Sequence, residues 1–257
     1  MNGRFKNGWH VWGNCDNKDM SETYGALRTL FNPEKNNMLD FQAARKNMVD
    51  CQVHTSGVMF PALLEAYKAI PREEFIPAEK KNVAYNDEDI ALCDGRYLIE
   101  PAVHARMIQA LDLTTDHVVL DIGGATGYSA AILSSIVSTV VVLESNQDFI
   151  KHATQVWENL GLCNIAAFEG ALAKGNDGHA PYDSIIINGA VASVPDEILG
   201  QLVPGGRLVC IVKRAGHIMG EATLFERSKA GDIASYPLFD AATPYLQGFE
   251  PQPEFRF

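Results

Sequence analysis

Apolar positions recur along this chain first at helical spacing and then, beyond residue 116, in short uniform runs of strand length. FQAARKNMVDCQV places Phe41, Ala44, Met48 and Val49 on one helical face. MFPALLEAYKAI predicts a second helix, with Pro61 in its first turn and Pro71 beyond its end. PREEFIP marks a loop, AYNDEDIALCDGRYLIEP follows, and AVHARMIQALDL has helical spacing again. VVLDI and VVVLE then read as strands, NQDFIKHATQVWENLG as a helix and NIAAFEG as a third strand. YDSIIIN is a fourth strand, apolar enough to be buried on both faces. VPDEILGQL is helical, PGGRLVCIVK turns into a fifth strand, and the alternation in ATLFER and ASYPLFD predicts antiparallel closing strands. Strands alternating with helices predict an α/β fold: a doubly wound, mostly parallel Rossmann-like sheet with an N-terminal helical segment. Residues 1–37 are Asn-rich and, apart from a short helix expected around SETYGALRTLF, show no period. They read as a partly disordered extension, with Met20 and Met38 as alternative starts and Trp9 and Trp12 able to pack. Residues 38–257 then form one domain, with a helical part over 38–112 and the sheet over 113–257.

The chemistry concentrates in HVVLDIGGATGYSAAIL, followed seventeen residues after Gly127 by Glu144. Strand, glycine loop, helix and an acid closing the next strand form a nucleotide-binding half of an open sheet. Glu144 is placed to accept hydrogen bonds from both hydroxyls of a ribose, and the loop glycines let backbone approach a ligand. Dinucleotide folds put pyrophosphate on the helix N-terminus. Here Asp121 directs a negative charge at that space, which opposes phosphate and suits an ammonium group. S-adenosylmethionine fits both demands, with adenosine for Glu144 and its amino-acid tail for Gly123–Gly127. The plainer alternative is a helix-capping Asp beside a glycine turn without function.

Composition narrows the partners. At 257 residues and 47% hydrophobic, the chain can bury one sizeable core. A net charge of −11 and the lack of any Lys/Arg cluster argue against nucleic acid as a partner. No apolar run is long enough to span a membrane, and the first residues lack a secretory core, so the cytoplasm is the expected location. The five cysteines are scattered, without a CxxC pair, and the histidines show no HxxxH or HxH spacing, so no disulfide framework and no metal are expected.

In order and spacing, IPREEFIP, AYNDEDIAL, VLDIGGATGYSAA, HAPYDSIIINGA and LVPGGRLV resemble the protein-L-isoaspartate (D-aspartate) O-methyltransferase family over residues 38 to about 250. The resemblance implies S-adenosylmethionine as cofactor, and methylation of isoaspartyl carboxyls in proteins or peptides as the activity, a repair step. It implies that Asp121, Gly123, Gly124, Ala125 and Gly127 form the cofactor loop, with Ala125 replacing a glycine. Glu144 becomes the ribose acid, with Ser145 beside it. Glu169 and Gly170 line the adenine, where Ala171 replaces the usual acid, and Asn188 faces the transfer site.

One departure stands out. Aligning Gly95 and Pro101 on the family's Thr-Ile-Ser stretch puts Tyr97 at the threonine, Ile99 at the serine and Glu100 at a neutral residue. A substrate carboxylate then needs another donor, for which Arg96 and Tyr97 are the local candidates, unless Tyr97 merely packs and Arg96 is solvated. Glu100 opposes a carboxylate by ~4 kcal/mol at ~4 Å and an effective dielectric of ~20. It would serve an amine or hydroxyl acceptor as a base, or else cap the following helix. His104 falls inside that helix. Three functions remain open: an isoaspartyl methyltransferase with a changed alignment group, a methyltransferase for another acceptor, a small molecule among the candidates, or a non-catalytic S-adenosylmethionine-binding protein.

Overall fold

The computed structural model describes residues 40–252, so the expectations for residues 1–37 and for Met38 lie outside the described residues. Asp40 accepts the Ala43 amide at 3.0 Å and caps α1 (Phe41–Met48). The helix expected to run through Val53 changes to a π-helical turn over Val49–Val53, with both valines buried. α2 (Pro61–Ala69) begins on its proline and ends where Ile70 turns extended before Pro71. The PREEFIP loop carries a 3-10 turn, Arg72–Phe75. Arg72 is fully buried and donates to the carbonyls of Ala84 (2.9 Å) and Ile99 (2.8 Å), tying this loop to the segments after it. A two-stranded hairpin, β1 (Ile90–Ala91) and β2 (Tyr97–Leu98), leads into α3 (Pro101–Ala110).

The main sheet contains β3 (Val118–Ile122), β4 (Thr139–Glu144), β5 (Ile165–Glu169), β6 (Tyr182–Val191), β7 (Leu202–Val212), β8 (Gly220–Arg227) and β9 (Ile233–Ala241). Their order is β5-β4-β3-β6-β7-β8-β9. The first five are parallel, and β8 and β9 close the sheet antiparallel, as the alternating tail predicts. The fourth strand runs past Asn188 to Val191. The fifth begins before PGG: Leu202 pairs with Tyr182 and Arg207 with Ser184, so the expected turn is a bulge within β7.

Alternate residues of β4 feed two cores. Val140 and Val142 join one with α4 (Tyr128–Ser134) and α5 (Gln147–Asn159), while Val141 and Leu143 join another with Ile198 of α6 (Asp196–Leu199). Trp157 of α5 donates its indole N–H to the Gly127 carbonyl at 3.0 Å and so pins the loop after β3. Gly127 has φ +89°, and a Cβ there would lie 2.5 Å from Trp157 Cζ2 and 2.7 Å from the Ala153 Cβ. Gly127→Ala should therefore cost at least ~2 kcal/mol, combining left-handed strain with overpacking. Chemical denaturation checks this, and a loss below ~0.5 kcal/mol would show that the loop repacks freely.

Candidate active site

β4 and β5 lie on one side of β3, and β6 and β7 on the other. The crevice at the carboxyl ends of β3, β4 and β6 is where such sheets bind ligands. Two acids meet there. Asp121 of β3 and Glu144 at the end of β4 are 0% and 1% exposed. The loop between β3 and α4 has Gly123, Ala125 and Gly127 at φ +71°, +50° and +89°. Ala125 thus holds a glycine's conformation, at a strain of about 1–2 kcal/mol. The arrangement directs the Ala125 N–H at Glu144 Oε2, 3.0 Å away.

Asp121 is half-satisfied. Its Oδ1 accepts a short hydrogen bond from the Asn188 amide, which also donates to the Ile122 carbonyl at 3.2 Å. Its Oδ2 is buried with no partner, against Gly124, where a Cβ would come within 2.9 Å of it. Burial pushes the Asp121 carboxyl up to about 7, against the opposing pull of the Asn188 hydrogen bond and of the nearby buried Ser129 hydroxyl.

Glu144 is satisfied by the chain itself. The Ser145 and Asn146 amides donate to Oε1 at 2.7 and 3.2 Å. Arg96 straddles the carboxylate, Nη1 to Oε1 at 2.7 Å and Nη2 to Oε2 at 2.9 Å, and Nη2 also donates to the Gly123 carbonyl at 2.5 Å. The solvated Arg96 weighed from sequence does not occur: the side chain is 4% exposed and reaches back onto Glu144. Glu169 is paired in register with Glu144, and the Gly170 amide donates to the Glu144 carbonyl at 3.0 Å. Glu169 and Ala171 are exposed, so this group forms the rim of the crevice.

The rest of the departing stretch divides between core and rim. Tyr97 is half-buried, and Ile99, at 4% exposed, packs in the core. Glu100 occupies the N-cap position of α3, but its side chain makes no capping bond. Burial raises its pKa, aided by Asp87 and Asp89. His104 lies inside α3, 2.6 Å from the Tyr67 hydroxyl, and burial lowers it to about 3. A neutral packed group results.

A feature the sequence reading missed covers the loop. The segment Thr243–Phe249 is strapped to the end of β6: Ala190 N–H donates to the Pro244 carbonyl, Leu246 N–H to the Ala190 carbonyl and Ala192 N–H to the Phe249 carbonyl, each at 2.9 Å. Lys213 donates to the Thr243 carbonyl at 2.5 Å and sits over the Tyr245 ring. Leu246 presses so closely that a Cβ on Gly123 would lie 2.7 Å from it, and one on Gly189 2.8 Å. The cavity left among Arg96, Tyr97, Asn188, Thr243 and Leu246 measures about 10 Å³, about one water molecule. A wider depression of about 490 Å³ over Val212–Gly220 and Thr223–Asp240 lies away from both acids. Among the described residues no His, Cys, Asp and Glu side chains converge into a metal site, and no helix is long and apolar enough to cross a membrane.

The family model for protein-L-isoaspartate (D-aspartate) O-methyltransferase matches residues 43–238. The chain belongs to this family. It is 39% identical over 165 residues to protein-L-isoaspartate O-methyltransferase 2 of Pelobacter propionicus, covering 64% of this chain and 73% of that one. It is 33% identical over 177 residues to protein-L-isoaspartate O-methyltransferase 1 of Rhodopseudomonas palustris, covering 69% and 72%. A solved protein-L-isoaspartate O-methyltransferase superposes with a TM-score of 0.70 at 25% identity, covering 79% of this chain and 66% of that one. A Plasmodium falciparum structure in complex with S-adenosyl-L-homocysteine shares the fold at a TM-score of 0.66 and 16% identity, covering 79% and 98%.

S-adenosylmethionine is the family's cofactor, and the two acceptors here match its ammonium and ribose in kind, with Glu144 free for the ribose only once Arg96 leaves it. The orphaned Asp121 Oδ2 offers an acceptor to an ammonium, and Glu144 offers a carboxylate at the end of the adjacent strand.

The Asp121 carboxyl gives a test without ligand. In the unfolded chain it ionises near pH 3.9, whereas the folded protein keeps the proton until about pH 7. Folding takes up a proton in between, so stability falls as pH rises through this window and the penalty is complete above it. Asp121→Asn should exceed the wild type in stability by at least ~1 kcal/mol at about pH 8, the difference shrinking toward about pH 4. Urea titrations across pH check this, and a difference independent of pH would contradict the buried, proton-bearing Asp121.

Proposed function

We propose that this chain transfers a methyl group from S-adenosylmethionine to the carboxylate of an isoaspartyl residue in a damaged protein or peptide, a step that begins repair. The observation that carries the proposal is the pairing of a buried, half-satisfied Asp121 with Glu144 across the glycine loop. When bound, the cofactor supplies an electrophilic methyl group on a sulfonium. Asp121 would hold its ammonium and Glu144 its ribose diol. Backbone of Gly123, Gly124, Ala125 and Gly127 would line the amino-acid tail, and Glu169, Gly170 and Ala171 the adenine, with Ser145 orienting Glu144. The acceptor carboxylate is already charged, so the chain's task is to align it and exclude water, with no obligatory base. Asn188, Arg96 and Tyr97 line a cavity of about one water molecule, which the acceptor carboxylate would enter only as the opening widens.

We assign this activity to one domain, residues 38–257, in which the buried Arg72 of the 38–112 part lies over the Tyr128 ring of α4, 4.9 Å from its centre. The exposed thiols of Cys51, Cys93 and Cys163, all free, suit the reducing cytoplasm. Glu100 with Asp87 and Asp89 favours a second reading, an amine or hydroxyl acceptor, because these acids repel a carboxylate.

Transfer of labelled methyl from S-adenosylmethionine to an isoaspartyl peptide tests the proposal. Turnover is expected but weak, with kcat/KM rising at least ~3-fold in Glu100→Gln as the like charge is removed, a gain limited by solvent screening at this half-buried group. Transfer to amine or hydroxyl acceptors with none to the peptide would replace the proposed acceptor with the second class.

A further inference from the structure

The acid expected to hold the ribose already has a full set of partners. Arg96 meets both Glu144 oxygens and the Gly123 carbonyl, and all three contacts are buried. A bidentate guanidinium–carboxylate pair is the same fork-to-fork geometry that a vicinal diol would offer the carboxylate. The two partners therefore cannot share Glu144. Arg96 is also not an isolated side chain. It leaves the tip of the β1–β2 hairpin, where Asp94 and Gly95 take φ +52° and +70°. Asn146, the N-cap of α5, donates to Asp94 Oδ2 at 3.0 Å, and the Arg96 guanidinium lies 5.7 Å from the centre of the Phe149 ring. The hairpin tip is thus fastened to the start of α5 directly beside Glu144.

Resting on the cofactor assignment above, we propose that Arg96 is an internal competitor for the ribose acid, which S-adenosylmethionine must displace from Glu144 as it binds. Arg96 thereby sets cofactor affinity. Displacement separates the guanidinium from Glu144 and from the Gly123 carbonyl, and the hairpin tip moves away from α5 with it. Leu246 guards the same opening from the strap, in contact with the loop at Gly123 where Arg96 Nη2 also lies, 3.1 Å from a Cβ built there. The cost of separating a buried pair is charged against cofactor binding in the wild type. Once Arg96 is removed, Glu144 keeps only backbone and Ser145 donors, and a ribose diol satisfies what remains.

Calorimetric titration with S-adenosylhomocysteine, which carries the same ribose and amino-acid tail, tests this on the full chain. Arg96→Gln is expected to bind at least tenfold more tightly than the wild type, about 1.4 kcal/mol, while its ligand-free melting temperature falls. A purely structural role for the pair would lower the melting temperature without raising affinity. Arg96→Lys keeps the cation and loses the fork, and should bind at least ~3-fold more tightly. It decides the matter if the glutamine variant does not fold. Wild-type binding with neither folded variant tighter overturns the competitor role and leaves the cofactor assignment standing. Failure of wild type and folded variants alike to bind at millimolar ligand overturns the cofactor assignment, and the competitor role with it.

Discussion

Two carboxylates buried side by side at the ends of adjacent parallel strands set the terms for everything around them. Asp121 and Glu144 cannot both be ionised and unpaired in a site this dry. The protein resolves the conflict differently for each. Glu144 receives a guanidinium, loop and strand-end amides and the Ser145 hydroxyl, whereas Asp121 retains its proton up to about pH 7 and one hydrogen bond from Asn188. The positive-φ loop, the hairpin tip with Arg96 and the Thr243–Phe249 strap all pack around this solution. In the proposed function a ligand brings an ammonium to Asp121 and a diol to Glu144.

The family-specific segments read differently once folded. IPREEFIP is spaced like a surface loop, but Arg72 is wholly buried and Glu73 nearly so. Arg72 bonds to Ile99, and Glu73 pairs with Arg45 of α1 at 3.1 Å. The motif is a clasp that positions the Gly95–Glu100 stretch over the sheet. Changes in that stretch therefore act through packing as well as chemistry: Ile99 fills core space where a serine hydroxyl is expected, and Glu100 stays half-buried at the start of α3 near Asp87 and Asp89.

The strand–loop–helix–strand unit and its two acids were legible because each depends on local pattern: β-branched runs, glycines and a strand-end carboxylate at fixed spacing. Parallel order and antiparallel closure followed from the change in alternation after residue 218. The partner of Glu144 was not legible, since Arg96 lies 48 residues earlier and the pair forms only when the hairpin closes on β4. Arg96 was singled out, but as a donor awaiting a substrate. The strap escaped because backbone bonds to Ala190 and Ala192 hold it, and those leave little pattern in sequence; Gly123 and Gly189, the two positions that admit Leu246, were the only trace. The end of α1 likewise gave no sign of its π-helical turn.

A crystal structure of the full chain with S-adenosylhomocysteine is the most direct test of this account. It should show the ribose diol on Glu144, the ligand ammonium on Asp121 Oδ2 and the Arg96 guanidinium withdrawn from both Glu144 oxygens. Ligand bound in that crevice with the Arg96–Glu144 pair intact, or bound elsewhere on the protein, would contradict it.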